Sequence, residues 1–410
     1  MCQTRAPRYR ALLSALALTS LSLFGGSAFA QDTAKPTSEG TPEAVAPVQS
    51  PAPGVVVTGV IEANYTLNFN EPNTHQNKLY YFNRREGQFS LNLAEIQIAK
   101  AATPESRTGF VIKLIEGEVS RFNFIGPDLD TNNVLEAYGT MLIPIGTREL
   151  KFDAGQFETH VGYETVEIGT NNFFSHNYLF GIPSPFYNAG VRASYPVSSR
   201  LTVNGYIYNR YNGRTDDGNR DLAPGFQIAY LPSATSSLVL NGLGSRENLA
   251  DIGVFDSENT PTTTVPRQQS VLDLIYTNQV NPTTKFVFEG LYRFGKDDAN
   301  KTYSFAGAAV YGIFGPLGIR AEYMADTKGT FILGDSSIGA GIVNPNKAND
   351  KASLGSVTLS YEPKVAIFPN ARTIVEARYD FASDRFFEKE KADSLSKNQT
   401  TFTIGQVFSF

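Results

Sequence analysis

From Val57 onward the chain alternates with a period of two: Val57, Gly59, Ile61, Ala63, Tyr65, Leu67 and Phe69 share one face, and Thr58, Glu62, Asn64, Thr66 and Asn68 the other. Such alternation predicts a strand with one apolar and one polar side. Segments of the same kind recur near 88–100, 107–118, 134–145, 149–157, 188–195, 200–210, 223–231 and 236–243. Further ones lie near 268–278, 284–293, 302–313, 318–326, 353–361, 371–380 and 399–410. They number sixteen, within a bracket of fourteen to eighteen set by the weaker boundaries. Beyond Val55 no stretch keeps a helical period or holds eighteen consecutive apolar residues, so membrane-spanning helices are excluded.

The polar faces carry charge that lipid would not accept: Lys285, Glu289 and Arg293, Arg320 with Glu322, and Arg372, Glu376 and Arg378. Those faces must meet water or protein. The gaps between segments alternate between short (101–106, 146–148, 196–199, 232–235, 279–283, 314–317 and 362–370) and long (70–87, 119–133, 158–187, 211–222, 244–267, 294–301, 327–352 and 381–398). Short turns on one rim and long loops on the other predict a transmembrane antiparallel up-and-down β-barrel, all-β, with periplasmic turns and extracellular loops. Closure follows from physics, since each unpaired backbone group in hydrocarbon costs several kcal/mol and a closed sheet has no edges. A barrel of sixteen strands is wide enough for an aqueous lumen. Trp is absent, so Tyr and Phe, 12% of the chain, must supply the interfacial girdles.

The two ends of the sequence add an address. Arg5, Arg8 and Arg10, an apolar run from Ala11 to Phe24 and the small-residue site Ala28-Phe29-Ala30 predict a signal peptide over 1–30, cleaved after Ala30. Its removal takes three arginines from 35 basic residues and none from 40 acidic ones, moving the net charge from −5 to −8 and arguing against a nucleic-acid partner. It also takes Cys2, the sole cysteine, which excludes disulfides and thiol chemistry. Residues 31–54, rich in Pro and free of aromatics, read as a disordered periplasmic segment ahead of a barrel over 55–410. In the last strand Phe402, Ile404, Phe408 and Phe410 share one face, an ending similar to the signal read by the barrel-assembly machinery. Gln406 interrupts that face. Outer-membrane lipids and the assembly machinery are the partners this pattern implies.

Between the fifth and sixth strands, Gly155, Phe157, Thr159, Gly162, Tyr163 and Glu164 precede Asn171, Phe174, Ser175 and Tyr178, then Ile182-Pro183 and Gly190-Val191-Arg192-Ala193. With Gly59 to Asn70 and Glu136-Ala137-Tyr138, these blocks resemble the OmpL-like β-barrel porin-2 family. Where that family often reads Thr-His-Thr-Gly, this chain has Tyr187-Asn188-Ala189-Gly190, after a Ser184-Pro185 insert. The resemblance implies an outer-membrane porin that passes small hydrophilic solutes passively. It implies fold and location more firmly than a substrate.

The connection 158–187 contains Phe173, Phe174, Leu179, Phe180 and Phe186, which an exposed loop would not carry. Folded into the lumen, it would bring Glu158, His160, Glu164, Glu167 and His176 opposite Arg192 and the wall charges Arg320, Glu322, Arg372 and Arg378, forming a constriction. The rival reading is a plug, and a closed barrel serving as surface adhesin or scaffold. Charge balance on these faces decides neither cation nor anion selectivity. Three histidines, His75, His160 and His176, are too few and too dispersed to argue for catalysis or a metal, and no cofactor is called for. No residue argues for an oligomer, and a homo-oligomer stays open.

Overall fold

The computed structural model describes residues 54–123, 133–214, 221–246, 268–296, 302–327, 351–364, 367–391 and 394–410. The strands are β1 (Val56–Asn68), β2 (Phe89–Lys100), β3 (Thr108–Glu116), β4 (Val134–Ile145), β5 (Arg148–Glu158), β6 (Tyr187–Ser198), β7 (Leu201–Tyr208), β8 (Ala223–Ser233) and β9 (Ser236–Arg246). They continue with β10 (Gln268–Asn281), β11 (Thr284–Lys296), β12 (Thr302–Phe314), β13 (Leu317–Asp326), β14 (Ala352–Tyr361), β15 (Ala371–Ala382), the two-residue pieces β16 (Phe387–Glu388) and β17 (Leu395–Ser396), and β18 (Asn398–Ser409). Sixteen of them close an antiparallel barrel in sequence order, with β18 bonded to both β15 and β1. β16 and β17 form a separate small hairpin within the connection 381–398.

Alternation sorts the residues of each strand between lipid and lumen. On β1, Ile61 is 41% exposed while its neighbour Glu62 is fully buried. Apolar side chains such as Ile96, Ile112, Ile143, Phe288, Val310 and Leu359 stand exposed on the outside, as a lipid-facing band requires. The seam is built by the residues that end the chain. Phe408 lies opposite Ile61, Ile404 opposite Tyr65 and Phe402 opposite Leu67, while Gly59 and Phe410 exchange backbone hydrogen bonds of 2.9 and 3.0 Å. Gly59 has no Cβ because the ring of Phe410 lies where one would go. Gln406 finds a partner on the same outer face, its Oε1 accepting from the Thr373 hydroxyl at 2.8 Å.

The barrel interior is a packed core. Val161, Phe173, Tyr178, Leu179 and Ile182 of the connection 158–187 pack against inward residues of β9 to β14, including Val239, Val271, Ile275, Leu291, Met324 and Leu354. The connection 70–87 also folds inward: Leu79, Tyr80 and Phe82 are buried, a placement its sequence did not suggest. The connections 119–133, 211–222, 244–267, 294–301 and 327–352 lie partly or mostly outside the described residues.

Candidate functional site

β5 ends at Glu158, and Thr159 donates its backbone N–H to Phe186 at 2.9 Å, so the connection leaves and re-enters the wall at one point. Between these ends the chain crosses the lumen in irregular backbone with one helical turn, Tyr178–Gly181. Asn177 caps that turn, its Oδ1 accepting from Phe180 N–H at 2.6 Å. Irregular backbone has no ladder to satisfy it, and buried amides left without partners are costly. The wall supplies those partners with charged side chains.

Inward carboxylates accept the loop's backbone N–H groups. Asp273 of β10 takes Gly162 at 2.9 Å, Glu289 of β11 takes Tyr163 at 3.2 Å, and Glu322 of β13 takes Tyr178 at 2.5 Å. Glu62 of β1 takes Ile168 and Gly169 at 2.6 and 3.2 Å, and Glu376 of β15 takes Phe174 and Ser175 at 3.0 and 3.2 Å. Guanidinium groups donate to its carbonyls: Arg320 to Ser175 at 2.6 Å, Arg378 to His176 at 2.6 Å, Arg293 to Pro183 at 2.9 Å, and Arg372 to Ile168, Gly169 and Asn171 at 2.8 to 3.2 Å. Charge-assisted bonds of this kind are about twice as strong as neutral ones. The loop is thereby fixed to β1, β10, β11, β13 and β15.

The charged sequence-derived candidates fall into four groups. Glu164, Arg320, Glu322 and Arg378 form one network, with Glu164 to Arg320 at 2.8 Å and Arg378 to Glu322 at 3.1 Å. Asp380 completes it at 2.7 Å from Arg378, whose guanidinium lies between the rings of Tyr80 and Tyr178. Glu158 and Glu167 gather instead on Lys113 of β3, together with Glu136. Arg192 faces Asp153 at 2.7 Å and the rings of Tyr138 and Phe157. Arg372 pairs with Glu362 at 2.7 Å near the short-turn rim. In place of two opposed charge rings across open water, most of these groups are in direct contact and buried.

His160 and His176 serve the packing of the loop. His160 Nε2 lies 3.3 Å from the Gly242 carbonyl with its ring on Tyr206, and His176 Nε2 lies 2.7 Å from the Thr165 carbonyl with its ring on Phe82. Burial disfavours their charged form, lowering His160 to about 4 and His176 to about 3. For Glu167 burial pushes the other way, but the Lys113 ammonium outweighs it and holds the carboxyl below its ordinary range. Ser175 Oγ accepts from Arg320 at 3.0 Å and Arg378 at 3.2 Å, not from His176. Among the described residues no grouping of three or more His, Cys, Asp or Glu is arranged to hold a metal.

Sequence reasoning missed Glu62, Lys113, Asp273 and Asp380 as lumen anchors. Their signal was present as charged residues at inward positions between lipid-facing neighbours, such as Lys113 between Ile112 and Leu114. The pairing registers shift beside two of them, at Glu62/Ala63 and Lys113/Leu114, where the partner strand carries one extra residue, Asn92 of β2 or Leu135 of β4.

The family model described as "Putative beta-barrel porin-2, OmpL-like" matches residues 54–410. Among solved structures, the chain is similar to a loop L8 deletion mutant of OmpT, an outer membrane protein of Vibrio cholerae, at 12% identity over 87% of this chain and 99% of that one, with a TM-score of 0.53. It is similar to the anion-selective porin from Comamonas acidovorans at 9% identity, over 87% and 99% of the two chains, with a TM-score of 0.52. It is also similar to the outer membrane channel DcaP of Acinetobacter baumannii at 13% identity, over 87% and 97%, with a TM-score of 0.50. At such identities the likeness is one of fold. None of the curated proteins matches the chain.

Proposed function

The chain belongs to the β-barrel porin-2, OmpL-like family and is an outer-membrane porin for passive diffusion, and from that premise we propose that its inturned third long loop sets the gauge of the channel. The carrying observation is the loop 158–187 itself, bonded through Glu62, Asp273, Glu289, Glu322 and Glu376 to one half of the wall and through Lys113 to β3 on the other. A lumen so occupied leaves room only for small hydrophilic solutes. Glu158, His160, Glu164, Glu167, His176, Arg192, Arg320, Glu322, Arg372 and Arg378 act here as the fixings that hold the constriction and its charge in place. We take the activity to be transport and not catalysis, because the adjacent Ser175 and His176 are engaged separately. Export by the signal peptide 1–30, insertion through the aromatic ending and a homo-oligomeric state belong to the same reading.

Reconstitution of the full chain into planar bilayers tests it. Small stepwise conductance is expected, rising severalfold when residues 166–180 are deleted. The density of loop contacts favours one second reading, a sealed barrel that presents its extracellular loops as an adhesin or scaffold. A silent wild type with a conducting deletion would decide for that reading.

A further inference from the structure

Around the Lys113 ammonium the lumen gathers four carboxyl groups: Glu95 of β2, Glu136 of β4, Glu158 of β5 and Glu167 of the loop. Each is at most 9% exposed, and Lys113 is 2% exposed. Fully ionised, one cation would face four anions away from water, an arrangement buried charge does not tolerate. Three of the four have donors. Glu136 accepts from Glu158 N–H at 3.1 Å, Glu158 accepts from Val166 N–H at 2.7 Å, and Glu167 takes the Lys113 ammonium through Oε1.

Glu95 has no donor among the described residues. Its Oε2 and the Oε2 of Glu167 are both buried without a partner, and the two carboxyl groups lie against each other. A carboxylate only accepts, so two in contact need a hydrogen on one of them. We propose that Glu95 and Glu167 share one proton, Glu95 as the acid and Glu167 as the carboxylate, and that this bond fastens the loop to β2. Lys113 sets the assignment by bonding Glu167. The other titratable groups facing the pair are Glu136 and Glu158 from the wall, Glu62 of β1, and His176 on the loop. The proposal concerns how the loop is held and stands whether or not solutes pass.

The sign follows from linkage. A carboxyl group that keeps its proton when folded and loses it when unfolded makes stability fall as pH rises above the ordinary carboxyl range. The test is urea unfolding of the full chain refolded in phosphatidylcholine vesicles, from about pH 6 to about pH 9, with E95Q beside wild type. The amide of E95Q donates to Glu167 at every pH. The wild-type unfolding constant should therefore climb about tenfold per pH unit more steeply than that of E95Q, one proton's worth. Parallel profiles would overturn the proposal. Should E95Q not refold, infrared spectroscopy of the wild type decides: a carboxylic-acid carbonyl band that persists at neutral pH is expected, and its absence sinks the idea. Replacing sodium by N-methylglucamine at fixed pH should change nothing, and a loss of stability would mean that a metal cation, not a proton, occupies the gap.

Discussion

Arg378 and Arg372 bond the same loop from the same strand, yet their removal should differ in cost. Arg378 is 1% exposed and serves Glu322, Asp380, Ser175 and the His176 carbonyl, so Arg378→Ala leaves the buried Asp380 without its cation and Glu322 with Arg320 alone, at 4.0 Å. Breaking such a pair costs about 3–5 kcal/mol. Arg372 has a side chain 23% exposed beside Glu362, and its loss should cost markedly less, as urea unfolding of the two variants in vesicles would measure. His160 and His176 give the same scale a pH dependence. Their lowered values mean that the folded state resists protonation, so their share of stability is intact above the ordinary histidine range and is lost as pH falls toward about 4 and about 3. Acidification from neutral pH should therefore loosen the loop and raise conductance, and the double variant His160→Gln, His176→Gln should flatten the upper part of that response, down to about pH 5. At this scale the sequence disclosed some of the charged inward residues, such as Arg320, Glu322 and Arg378, but not their partners. Glu164 meets Arg320 across 156 positions, a pairing set by the path of the loop, on which no periodicity bears.

At the scale of elements the strands were legible because lipid outside and a filled lumen inside impose the same alternation along each one. The expected segments match the observed strands to within a few residues, and the largest slips, at β6, β9, β10 and β11, fall at strand ends. The connection 158–187 was legible as buried from its Phe and Leu content. The connection 70–87 was not, since Leu79, Tyr80 and Phe82 stand among polar residues and are sheltered by distant partners, Phe82 lying on His176 of the other loop and Tyr80 bonded to Asp380 of the wall. Glycines on the inward faces went unread for a related reason. Gly405 of β18 and Gly307 of β12 are sockets, in that a Cβ at either would collide with Phe174 or Leu179 of the loop. Gly405→Val should force Phe174 off the wall at about 1–3 kcal/mol of overpacking, seen as a lower urea midpoint with the barrel still heat-modifiable on gels. The seam offers a contrast on the outer face. There Phe410→Ala should uncover the backbone at Gly59 and lower the yield of folded barrel without altering the loop.

At the scale of the molecule, closure and constriction rest on different physics. The wall is held by a ladder that hydrocarbon makes obligatory, while the loop is held by charged side chains that pH or mutation can reach. The two should therefore separate in energy, the loop opening before the barrel unfolds. Cys2 is the one cysteine in the sequence, well ahead of β1, so single cysteines in the loop report on it with little background. Leu179 is fully buried against the wall, whereas Thr170, on the same loop, is exposed. In intact vesicles Thr170→Cys should react readily with a water-soluble maleimide and Leu179→Cys should not. Moderate urea, below the midpoint at which the barrel loses its gel mobility, should make the second site reactive, because freeing the loop requires breaking charge-assisted bonds but no strand pairing. If Leu179→Cys reacts as fast as Thr170→Cys without urea, the loop spends its time outside the lumen and the gauge is set by the wall. If it becomes reactive only as the barrel unfolds, loop and wall form one cooperative unit, and the passage is no wider than the packed lumen leaves it.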